Sequence, residues 1–394
     1  MPKMEWSVCE QASQITGPLL TRFNKIYPKA QIDVISMLWE SYKQELTKMA
    51  IHGHGVDVSQ VGAPLANDML AMNVLRPFSN HEMASLGGEN AFMPICWQSS
   101  IRIADSQVWS IPLFADPYAI LYWGDLIEKA GIADETQAFD LDHIEETFAK
   151  LRASGVTYPW AMASPLSEQY YSLHCAASWV WGRQGEFVSQ DSRKALFTTP
   201  LVVSALEEYF QLGRFVDRSG LITNNPGALF QQRNAAVIIT NVGHATTIRR
   251  QLPLEIQPLL RVSLPPGQPL VGGSSLVIWK TSHAEELAFN LVKFLTSPEI
   301  QAEYPIQVGQ MPVVRSAVEH PSITTDPLLK GYVEAISQGR VFPLVQLGGL
   351  LEEQIGLSLN RIWQTMLTTR IPNLQELILN QLTPLARRYN NMMS

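Results

Sequence analysis

The side chains of this sequence with chemistry to offer are acids, amides and flat rings, more than nucleophiles or metal ligands. Ten Trp and eleven Tyr supply apolar faces with polar rims. Asp and Glu supply acceptors for charge-assisted hydrogen bonds from hydroxyl groups. A pocket for a polyhydroxylated molecule needs both kinds. Asp116 is one such acid, although an Asp before a proline, here Pro117, also favours a turn by itself. Strand alternation from Asp116 puts Tyr118 on the same face, where it can meet a ligand or pack internally. Tyr170, Trp179 and Trp181 lie in an aromatic-rich stretch. On a helix the two tryptophans diverge by about 200°, so at most one of them faces a given ligand.

Catalytic and metal chemistry find little support. There is no Gly-rich phosphate loop ending in Gly-Lys-Ser/Thr, no His-Glu-x-x-His and no Gly-x-Ser-x-Gly elbow. Asp116 with Glu10 or another acid could serve as a general acid/base pair on a glycan, but no motif fixes the separation that glycoside hydrolysis requires. His52 and His54 read as a surface loop without a third ligand. Tyr170-Tyr171 raises ferric iron as a lesser alternative, yet adjacent tyrosines on a helix diverge by about 100°. No cofactor and no metal is expected. With 29 basic and 36 acidic residues, a net charge of −7 and no basic run, nucleic acid is an unsuitable partner. Cys9, Cys96 and Cys175 read as buried, unpaired residues.

The elements that must position these groups follow from hydrophobic period. A chain of 394 residues suits two domains of roughly 150 to 200 residues each. Glu5–Val8, Gln31–Ser36 and Val56–Val61 read as strands. Between them lie a helix with Ile15, Leu19, Phe23 and Ile26 on one face, ended by Pro28, and a helix carrying Tyr42, Leu46 and Met49. Such β-α-β-α-β spacing forces parallel strands, so the loops at Glu10–Ser13, Met37–Glu40 and Gly62–Pro64 share one rim. Asp125–Ala130 reads as a helix stopped by Gly131, and Thr199-Pro200 and Ser297-Pro298-Glu299 read as capped helix starts. Ala235–Thr240 and Ser274–Trp279 read as strands, Leu264–Gly267 as a crossing strand or linker, and the last eighty residues as mainly helical. Met1–Trp6 lacks the apolar stretch of a secretory signal, and no segment reaches about 18 uninterrupted apolar residues.

In order and spacing, several of these stretches resemble the family-1 extracellular solute-binding proteins, the group of the maltose-binding protein. They are Phe23-Asn24-Lys25-Ile26-Tyr27-Pro28, Trp39-Glu40-Ser41-Tyr42, Gly55–Val61 with Val56 where proline is usual, Trp109–Asp116 continuing through Leu121–Ile132, and Phe294–Tyr304 with Gln310-Met311-Pro312-Val313. The resemblance implies an α/β, two-lobed periplasmic-binding-protein fold of type II. Each lobe is then a mainly parallel sheet flanked by helices, joined by a multi-crossing hinge. The N-terminal lobe is expected from 1–113 plus 268–311 and the C-terminal lobe from 114–267 plus 312–394.

It also implies a binding protein of an ABC importer, not an enzyme. A small carbohydrate or polyol is captured between lobes by hinge closure and passed to a membrane permease, with no membrane insertion and the chain a monomer. The location is periplasmic or extracellular and lipid-anchored if a signal segment preceded this sequence. If Met1 is native, a cytoplasmic ligand sensor is the alternative. The ligand-binding groups implied are Glu10, Gln11, Trp39, Gly62, Asp116, Tyr118, Tyr170, Trp179, Trp181, Asn241, His244, Gly272, Gly273 and Gln310. His244 stands where sugar binders place a stacking tryptophan, which favours a smaller or more polar solute. If it contacts that solute, affinity should vary between about pH 5.5 and 7.5.

Overall fold

Nine strands form among the described residues: β1 (Lys3–Cys9), β2 (Gln31–Met37), β3 (Val58–Gly62), β4 (Leu75–Arg76), β5 (Ile111–Trp123), β6 (Tyr158–Ala161), β7 (Ala235–Asn241), β8 (Leu260–Ser263) and β9 (Val271–Trp279). The computed structural model describes residues 3–9, 13–100, 107–133, 135, 137–162, 170–217, 226–342, 345 and 348–394, with the side chains of Trp39, Glu40 and Pro226 excepted.

The chain divides into two compact units. The first holds residues 1–116, 271–325 and 344–349, and the second holds 117–270, 326–343 and 350–394. In the first, β1 runs parallel to β2 from Lys3↔Gln31 to Cys9↔Met37 and parallel to β3 at Trp6↔Val58. β9 then adds antiparallel to β3, Val58 facing Ile278 and Gly62 facing Ser274. The strand order is β2-β1-β3-β9-β5. The helix Thr16–Ile26 covers this sheet with Leu19 and Phe23. Ile26 departs from the expected face and is 61% exposed, because Tyr27 packs its ring 4.7 Å from Phe23 in its place. Inside the sheet, Ser59 Oγ accepts from Ser7 Oγ (2.7 Å) and from Trp279 Nε1 (2.7 Å), so two buried donors are satisfied by one hydroxyl.

Gln301, fully buried, joins three backbone segments of the first unit. Its Nε2 donates to Leu113 O and Leu295 O, both at 3.0 Å, and its Oε1 accepts from Val313 N at 3.0 Å. This explains a correction to the domain limits. Residues 312–325 belong to the first unit, since Val313 hangs on Gln301, Met311 bridges Ala115 and Val314 bridges Phe92. Residues 344–349 also join it, where Asn67 Nδ2 donates to Val345 O.

In the second unit, β5 pairs antiparallel with β7 and with β8, and only β6 and β7 run parallel. The sheet of this unit is therefore mixed. Its core is aromatic. Tyr209 lies 5.0 Å from Trp179, 5.4 Å from Trp363 and 5.8 Å from Trp160. The helix starts at Thr199 and Ser297 stand where expected, but neither hydroxyl caps. Each donates backwards at 2.8 Å, to Leu196 O and Phe294 O.

Candidate solute-binding site

The carboxyl ends of β1 and β3 and the start of β9 converge in the first unit, as the parallel arrangement requires. There Cys9 Sγ donates to Gln60 Oε1 (3.6 Å) and Gln60 Nε2 to Ser274 Oγ (2.9 Å). Glu10 and Gln11 follow Cys9 in sequence and lie outside the described residues. Trp39 opens the helix Trp39–His52, and its side chain is likewise outside the described set. Gly62 sits at the N-cap of the helix Ala63–Ala71 with φ −62°, a conformation open to any residue, and faces Ser274 across the ladder.

Asp116 and Gln310 flank an isolated antiparallel bridge in which Ala115 and Met311 exchange both backbone hydrogen bonds, at 2.9 and 2.8 Å. The Asp116 and Gln310 side chains are half-buried. Gly272 and Gly273 are strand residues of β9. Gly273 has φ +144°, and a Cβ there would collide with the Phe114 carbonyl oxygen. Strand packing thus accounts for Gly273.

The second unit gathers another set. Tyr118 pairs with Asn241 across β5 and β7. The Tyr118 ring meets His174 edge-on at 5.1 Å and Tyr171 at 6.1 Å, and Tyr170 stacks on His174 at 6.0 Å. His174 and Glu352 come from well separated parts of the sequence and were not singled out there. They approach at 3.4 Å between Nε2 and Oε1.

Asn241 caps the helix Val242–Gln251 by accepting from His244 N at 3.0 Å, a role any helix start could require of it. His244 Nδ1 lies 2.9 Å from Thr240 Oγ1, and burial pushes its imidazole below its ordinary pKa. Trp179 and Trp181 are corrected. Trp179, 1% exposed, packs on Tyr209, while Trp181, 4% exposed, lies between Phe187 and the Arg340 guanidinium, so both are interior residues.

Among the described residues no group of three or more His, Cys, Asp or Glu could hold a metal ion. Tyr170 and Tyr171 diverge, with the Tyr171 hydroxyl donating to Ile239 O at 3.0 Å. No described helix is long and apolar enough to cross a membrane.

Two α/β units with discontinuous segments, the first ordered β2-β1-β3-β9-β5, define the architecture of a two-lobed periplasmic binding protein. The match extends to family level. Residues 19–331 fit the bacterial extracellular solute-binding proteins, and the chain belongs to that family. A binding protein of Brucella abortus (strain 2308) is 22% identical over 368 residues, 87% of this chain and 84% of the relative. The sugar-binding protein MalE of Xanthomonas citri has the same fold, with TM-score 0.84 and 18% identity over 99% of this chain and 97% of that one. The GacH receptor of Streptomyces glaucescens, known with acarbose, gives TM-score 0.80 at 17% identity over 99% and 98%. UgpB of Mycobacterium tuberculosis, in complex with glycerophosphocholine, gives TM-score 0.80 at 15% identity over 100% of both chains.

Proposed function

We propose that this chain is the solute receptor of an ABC importer, that it works outside the cytoplasmic membrane, and that it takes a small carbohydrate or polyol. The observation carrying the reading is the family match over residues 19–331, which spans segments of both units. Supporting it, each unit contributes groups suited to hydroxylated molecules: Asp116 and Gln310 in the first, Tyr118, Tyr170 and Asn241 in the second. A solute that binds one arrangement of the chain better than another stabilises that arrangement, and a permease that recognises it senses occupancy. No bond of the solute is made or broken in this scheme.

The test is a thermal-shift and calorimetric screen of sugars, polyols and their phosphates, with solute analysis after incubation. A true ligand at 100 times its Kd adds about 2.7 kcal/mol of stability. Failure of every carbohydrate and polyol to stabilise the chain rejects the substrate class, and release of a chemically altered product rejects the receptor role.

A further inference from the structure

Within the second unit, His174 and Glu352 are placed in a way that packing does not explain. They come from the helices Tyr171–Gly182 and Gly348–Thr368. Their Nε2···Oε1 separation of 3.4 Å exceeds a good hydrogen bond, and neither has another ion-pair partner among the described residues. His174 Nδ1 is enclosed and has no hydrogen-bond partner among the described residues. An imidazole and a carboxylate so poorly satisfied are costly to bury. Both side chains keep a little solvent access, 14% and 11%. Two rings meet the imidazole, with Tyr170 stacked on His174 and Tyr118 edge-on to it.

Resting on the solute-receptor reading, we infer that Glu352 and His174 form the polar half of a subsite for an uncharged vicinal diol, with Tyr170 and Tyr118 as its aromatic walls. One hydroxyl donates to the Glu352 carboxylate. Its neighbour exchanges a hydrogen bond with the imidazole, and C–H groups lie on the tyrosine rings. Among the described residues no Arg or Lys pairs with Glu352. A phosphate at this spot would meet an uncompensated carboxylate, so the subsite selects against phosphorylated sugars.

The test is isothermal titration of the intact chain with maltose, glucose, sorbitol and glucose 6-phosphate, carrying forward the tightest neutral ligand. Glu352→Gln and His174→Gln should each weaken it by about tenfold or more, the loss of one charge-assisted or buried hydrogen bond. Saturation of the unmutated chain should shift the His174 imidazole nitrogen resonances, a readout that holds even if a variant folds poorly. Glucose 6-phosphate should bind more weakly than glucose. If both variants retain the parental Kd, or the His174 resonances do not move at saturation, the subsite is refuted. Should Asp116→Asn weaken binding in that same series, the receptor reading survives the loss of this subsite. If no neutral member binds the unmutated chain, the carbohydrate reading fails and this inference with it.

Discussion

Gln301 offers the sharpest test of how the first unit is held together. A Gln301→Leu substitution keeps nearly the same volume but strands two carbonyls, Leu113 O and Leu295 O, and one amide, Val313 N. Each buried group left without a partner costs about 1–3 kcal/mol. Leucine admits no replacement water, so the loss should be about 3–9 kcal/mol in the transition that unfolds the first unit. With a urea slope of about 2 kcal/mol/M, the midpoint should fall by about 1.5–4.5 M. Equilibrium unfolding followed by tryptophan fluorescence measures this directly. Gln301→Glu keeps the acceptor for Val313 and, once protonated, one donor, so its deficit should shrink as the pH falls. A midpoint shift below about 0.5 M for the leucine variant would refute the claim that this amide joins the three segments.

Three further outcomes are expected. Gly273→Ala should destabilise the chain by about 2–4 kcal/mol in thermal or chemical unfolding, because the left-handed φ and the Phe114 carbonyl both oppose a side chain, and a neutral effect would contradict the packing described. His244 is kept neutral by burial, so the unfolded chain takes up its proton first. Stability should be complete above about pH 6.5 and decline as the pH falls through that value, by at most about 1.4 kcal/mol per pH unit from this group. His244→Gln should flatten the decline, and an unaltered pH profile would show that the group contributes nothing. Trp179→Phe should lower stability by about 1–3 kcal/mol and leave solute affinity untouched, whereas a tenfold rise in Kd by calorimetry would return it to the binding site.

Hydrophobic period located β1, β2, β3, β7 and most of β9 to within a few residues, because short apolar strands between amphipathic helices leave a clear signal. Gln301 illustrates the opposite case. The sequence shows only a polar residue in a recognisable helix start, while its burial follows from segments near 113 and 313 that meet it in space. The domain limits missed residues 312–325 for the same reason, since the pairing of Met311 and Val314 with Ala115 and Phe92 is long-range. Trp179 and Trp181 were offered as binding platforms on aromatic density alone, a signal that a large core produces equally well. His174 and Glu352 lay hidden because 178 residues separate them, and neither stands in a motif. A histidine one turn after a tyrosine pair was the available hint.

The place of β9 in the first unit bears on how the chain is made. It lies between β3 and β5, yet follows β5 by more than a third of the length of the protein. At about 5–20 residues per second, a ribosome exposes β3 and β5 for roughly 7–30 s before the intervening strand emerges. During that interval both flanks present open backbone donors and acceptors that other nascent chains could pair with. Fragments ending before residue 271 should therefore precipitate instead of yielding a small stable domain, and productive synthesis calls for slow collapse or a chaperone that shields the gap.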